Sequence, residues 1–151
     1  MKLFIATGLL ILSIVLASTL DAKPLSNVNN RISKYAFVIS ATSEEWVSTR
    51  LSVMPGDILL IRASGTISVG GFLGKTGPDG ASTGVGRLKL KIGNAAVESV
   101  GSIKYVPVAE PGTVMLRIED SNYKDNSGEF NVEVIRIPAK IIPKPIAVTS
   151  K

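Results

Sequence analysis

Short apolar runs, separated by turn chemistry, recur about every ten residues through most of this chain, and that spacing limits its fold more than any other feature. The clearest run is Arg87-Leu88-Lys89-Leu90-Lys91-Ile92, which alternates residue by residue and stops at Gly93-Asn94. A period of two puts Leu88, Leu90 and Ile92 on one face of a strand and the lysines on the other. Comparable runs occupy residues 35–41, 46–54, 58–64, 66–69, 97–100, 103–108, 113–118 and 130–137. In the second of these, Val47, Thr49, Leu51 and Val53 share one face, and Trp46, Ser48, Arg50 and Ser52 share the other. Pro55-Gly56-Asp57 and Glu110-Pro111-Gly112 are turns, because Pro fixes φ and Gly accepts φ > 0. No segment carries a helical period or has the length and flanks of a βαβ unit. Eight or nine short strands predict an all-β fold, a jelly-roll-like β-sandwich in a single domain.

The ends of the chain differ from this middle. Lys2 precedes an apolar stretch over 3–16, and small residues follow at Ala17, Ser18 and Ala22. That is the pattern of a secretory signal peptide cleaved after Ala17 or Ala22, which implies a secreted or periplasmic protein. The domain reading is therefore a signal peptide over 1–22, a polar N-terminal arm over 23–34, the β-sandwich over 35–137 and a Pro/Lys-rich tail over 138–151. Pro138, Pro143 and Pro145 predict an extended, partly disordered tail.

Several function classes fall away. The chain has 151 residues, a net charge of +5, and neither cysteine nor histidine. There is then no disulfide framework, no cysteine nucleophile, no histidine base and no histidine-ligated zinc. The cations, among them Lys34, Arg50, Arg62, Lys89, Lys91, Arg117 and Arg136, mostly alternate with apolar residues and read as solvent faces of strands. Aromatics are few, so the basic balance does not point to nucleic acid. An anionic envelope or acidic polysaccharide surface is a compatible partner, through attraction that salt would weaken. Trp46 reads as a core or edge-packing aromatic. The Gly-rich loop over 70–86 contains Gly74-Lys75-Thr76, but no helix follows it, so it does not match the pattern of a phosphate loop.

The segment Asp120-Ser121-Asn122-Tyr123-Lys124-Asp125-Asn126-Ser127-Gly128-Glu129-Phe130 collects two aspartates and two amides within seven residues. Carboxylate, amide and main-chain oxygens on a short loop are what a hard cation such as Ca²⁺ requires. Asp, Asn and Gly are also ordinary turn formers, and Asp57 and Asp79, in Pro-Gly-Asp and Gly-Pro-Asp-Gly, read as turn residues on that ground. Tyr123 stands beside the candidate ligands and could line a pocket.

Taken in order, Trp46-x2-Thr49, Leu51-x-Val53-Met54-Pro55-Gly56-Asp57, Ala63-Ser64-Gly65-x2-Ser68-x-Gly70, Gly77-Pro78-Asp79-Gly80, Leu90-Lys91-Ile92-Gly93, Asp120 and Asp125-Asn126-Ser127-Gly128-x-Phe130 form a fairly specific set. This set resembles the calcium-dependent galactophilic lectin family of the PA-IL type, together with related domains of secreted bacterial enzymes, over residues 38–134. The resemblance implies a galactose-binding-like jelly roll with one Ca²⁺ that contacts sugar hydroxyls directly. It implies metal ligation by the side chains of Asp120, Asp125 and Asn126 and by the carbonyls of Val69 and Asn122. Sugar contacts would come from Asp120, Tyr123, Asp125 and Asn126. The resemblance stops at residues 80–86, where the galactose-specific lectin carries a longer insertion with a His and a Gln that clamp the sugar. Lectin relatives gain avidity by multivalency, so a homo-oligomer is compatible with the resemblance, which leaves the oligomeric state open.

The first functional expectation is a secreted, Ca²⁺-dependent, carbohydrate-binding lectin whose ion bridges loop carboxylates to sugar hydroxyls. The alternative is a secreted structural or protein-interaction module in which Ca²⁺ only stabilises the loop. Glycosidase-like use of Asp120 and Asp125 is disfavoured, because they share one short loop rather than face each other across a cleft. A protein that is not an enzyme is expected.

Overall fold

The computed structural model describes residues 31–71 and 73–141, so the signal sequence and most of the arm and tail lie outside the described residues. The predicted runs become nine strands: β1 Ser33–Ser40, β2 Val47–Val53, β3 Ile58–Ser68, β4 Lys75–Thr76, β5 Leu88–Ile92, β6 Glu98–Ser99, β7 Ile103–Pro107, β8 Gly112–Ile118 and β9 Ser127–Ile137. One sheet has the order β1-β9-β3, with β7 and β4 pairing along the far edge of β3; the other has the order β2-β8-β5-β6. All pairings are antiparallel.

Alternation decides what enters the space between the sheets. Ile39, Leu59, Ile61, Ile67, Phe130, Val132 and Val134 face inward from one sheet. Leu51, Val53, Leu88, Leu90, Ile92, Val114, Leu116 and Ile118 face inward from the other, and all join one buried cluster. Burial of each such side chain contributes about 1.5–3 kcal/mol, which is how a chain without disulfides holds two sheets together.

The structure corrects several expectations. Residues 58–64 and 66–69 do not form separate strands around Gly65. β3 runs through it, and β9 pairs with β3 without a break from Ile58↔Ile137 to Ser68↔Ser127. Gly65 lies opposite Phe130 at φ 113°, and a Cβ there would sit 2.7 Å from the Glu129 carbonyl oxygen. The glycine is thus required by close backbone approach rather than by a turn. The Gly-rich loop contains the short strand β4. In β2 the register with β8 shifts between Ser48 and Ser52, and Arg50 takes φ 57°. The Thr49 hydroxyl donates to the Val114 carbonyl at 2.7 Å, replacing a ladder bond lost at this bulge.

Arg136 is not on a solvent face. It is buried, and its Nε donates to Asp57 Oδ2. The tail does not leave the domain extended at Pro138. Residues Ala139–Ile141 form a 3₁₀ turn, and the Ala139 N–H donates to Asp57 Oδ1 at 3.2 Å. Trp46 is outside the core. It lies half-buried on the outer face of the four-stranded sheet, with Arg117 Cζ 4.8 Å and Lys91 Nζ 5.1 Å from its ring centroid.

Candidate ion and ligand site

The loop between β8 and β9 is built by its own side chains. Asp120 Oδ1 accepts from the N–H groups of Ser121 at 2.6 Å and Asn122 at 3.1 Å. Asn122 caps a 3₁₀ turn over Tyr123–Asp125, its side chain accepting from the Lys124 N–H. The Tyr123 hydroxyl donates to the Ile118 carbonyl at 2.9 Å and accepts from the Asp120 N–H at 3.3 Å. Tyr123 therefore closes the neck of the loop, and its hydroxyl is occupied there.

Asn126 is the loop's anchor and is buried. Its Nδ2 donates to Asp120 Oδ2 at 2.9 Å and to the Ala41 carbonyl at 3.1 Å. With both donations made, Oδ1 is left buried without a hydrogen-bond partner. A buried amide oxygen lacking a donor is costly, about 1–3 kcal/mol, unless a cation or water meets it.

The segment after β3 approaches the same loop. Val69 is buried, its N–H bound to the Gly74 carbonyl at 3.0 Å. Gly70 has φ 71°, and a Cβ on it would lie 2.4 Å from both Cγ and Oδ2 of Asp125. Only glycine lets the carboxylate of Asp125 come so near this backbone. Val69, Gly70, Val85, Asp120, Asn122 and Asp125 line one shallow cleft. Of the residues singled out in the sequence, four candidate ligands reach this cleft directly. Asn126 sits beneath it against Asp120, and Tyr123 supports it from the neck.

Among the described residues, no group of three or more His, Cys, Asp or Glu side chains converges as a metal cage. The cleft instead brings the carboxylate residues Asp120 and Asp125 together with Val69 and Asn122, an oxygen-only set of potential donors. That composition suits Ca²⁺ and is unsuited to softer transition metals.

A second cleft adjoins the first, lined by Thr83, Val85, Arg87, Lys89, Glu119 and Asp120 among others. The backbone holds the 80–86 loop beside Asp120, because the Gly86 N–H donates to the Glu119 carbonyl and the Glu119 N–H donates to that of Arg87. Asp79 fastens the other end of this loop, accepting from the Ser102 N–H at 2.8 Å and from its hydroxyl. Those bonds from Ser102, with slight opposition from burial and help from the nearby Arg87 charge, hold the Asp79 carboxyl below its ordinary value. The sequence placed Arg87 and Lys89 on strand faces and gave no sign that they border the loop.

Two antiparallel sheets packed around one buried cluster define a β-sandwich. The N-terminal domain of EclA, a PllA-like lectin, has this architecture: it aligns with a TM-score of 0.61 and 31% identity, over 70% of this chain and 97% of that chain. The chain belongs to this family of lectin-like domains. No protein-family model and no curated protein sequence gives a match.

Proposed function

We propose that this protein is an exported, Ca²⁺-dependent glycan-binding protein. The ion would be held by Asp120, Asp125 and Asn126 with the carbonyls of Val69 and Asn122. The observation that carries this reading is Asn126, whose Nδ2 donates to the Asp120 carboxylate while its Oδ1 is left buried and unpaired. Likeness to a lectin domain supports carbohydrate as the ligand class. Calcium would supply a positive centre to which vicinal sugar hydroxyls coordinate in place of water. The chain's own part is to position acceptors: Asp120 and Asp125 can each take a hydroxyl proton in a hydrogen bond, and Gly70 leaves room for the second of them. The signal-like N-terminus supports export to the cell exterior or periplasm.

The deciding experiment measures thermal unfolding and glycan-array binding in calcium and in EDTA. Calcium is expected to raise the melting temperature, and EDTA to abolish array binding. Unfolding and binding both indifferent to EDTA would refute the proposal. A calcium-dependent melting temperature with a blank array would favour a structural module whose ion only fixes the loop.

A further inference from the structure

The cleft that borders Asp120 continues onto a cationic face. Arg87 and Lys89 line it, and Lys89 stands directly across from Arg117 in the β5–β8 register. Arg117 and Lys91 flank Trp46, the chain's single tryptophan. Lys89 already has Glu119 at 3.2 Å. Arg87, Lys91 and Arg117 form no ion pair among the described residues, and neither do the exposed Glu44 and Glu45 just before Trp46. Arg117 Nε is in addition buried without an acceptor.

This arrangement differs from an ordinary solvated strand face in two respects. The cations are held: an aromatic ring positions two of them, which lowers the entropy lost when they grip a ligand. They also begin at the ligand loop rather than elsewhere on the sandwich, since Val85, Asp120 and Ser121 line both clefts.

We infer that the ligand is an acidic oligosaccharide that leaves the Asp120 loop along the outer face of the four-stranded sheet, its carboxylates on Arg87, Lys91 and Arg117. This rests on the glycan-binding reading above and adds the ligand's charge and direction. A polyuronate fits, because each unit offers hydroxyls for the loop and a carboxylate for the guanidinium fork.

Short oligogalacturonates and their carboxyl-reduced, neutral counterparts are the probes, titrated against the full mature protein in calcium. Trp46 fluorescence and calorimetry are the readouts. The acidic form is expected to bind more tightly, to shift the Trp46 emission, and to weaken with salt. In Lys91→Gln, the acidic-to-neutral affinity ratio is expected to fall about tenfold. Arg87→Gln tests the near end of the same face, and Arg117→Gln the far end if that variant folds. Equal affinity for both probes, or an unchanged ratio in Lys91→Gln and Arg87→Gln, overturns the inference while leaving calcium-dependent neutral binding intact. Acidic binding that survives EDTA at full strength would instead refute the loop reading and keep the cationic face.

Discussion

Arg136 Nε lies 2.7 Å from Asp57 Oδ2, with both side chains almost wholly removed from water. The pair joins the turn before β3 to the end of β9, and the same carboxylate accepts from the N–H groups of Met54 and Ala139. Burial pushes the Asp57 carboxyl up. The hydrogen bond from Arg136, those from Met54 and Ala139, and the Arg136 charge together outweigh it and hold the group below its ordinary value.

A depressed folded-state value stabilises the fold above the carboxyl's unfolded pKa of about 3.9, and that contribution fades as pH falls through the lower folded value. Asp57→Asn should therefore be destabilised at neutral pH by about 3–5 kcal/mol, since it leaves Arg136 buried and uncompensated. Denaturant melts across pH should show the gap between wild type and variant narrowing below about pH 4. A gap that is constant with pH would contradict this account.

Asn126→Asp places a carboxylate against Asp120 and removes the donor to Ala41. Without calcium this variant should lose about 1–3 kcal/mol. With calcium it should recover part of that loss, so its melting temperature should respond to the ion more steeply than that of wild type. A loss of equal size with and without calcium would mean that Asn126 serves only as a hydrogen-bond hub.

Gly70→Ala tests the approach of Asp125. The positive φ alone costs about 1–2 kcal/mol for a residue with a Cβ. The Asp125 head group must also swing away, because the new methyl would overlap it. The calcium-induced rise in melting temperature should shrink sharply in this variant. Calorimetric calcium titration would expose a failure of the prediction as unchanged affinity.

Tyr123→Phe removes the hydroxyl at the loop neck. Stability should fall by about 1 kcal/mol, and amide exchange at Asp120 and its neighbours should quicken. Array binding is expected to weaken through the looser loop. Preserved exchange protection would show that the hydroxyl does not fix the neck.

Strand faces were legible because alternation is a local signal that burial enforces, as in residues 88–92. The inward parity of Phe130, Val132 and Val134 also points Arg136 inward, although its charge argues for water. Only its long-range partner Asp57 resolves that conflict. Gly65 read as a break because the chain that crosses opposite it, at Phe130, is remote in sequence. The oxygen-rich loop was visible as composition, whereas its support by Ala41 and the nearness of Gly70 arise from chain crossings that no local pattern records. Trp46 fits the edge-packing half of its reading, but its neighbours Lys91 and Arg117 come from two other strands and left no local trace.

The long β3–β9 ladder has a kinetic meaning. Its partners are separated by 59 residues at the loop end, Ser68↔Ser127, and by 79 at the other, Ile58↔Ile137. Contacts so distant make for slow folding, on the order of milliseconds to seconds. The segment that carries Asp125 and Asn126 enters β9 at its first residue, so the ligand loop is among the last parts of the domain to be made. A chain emerging N-terminus first cannot close this loop against β3 until nearly all of the sandwich has appeared.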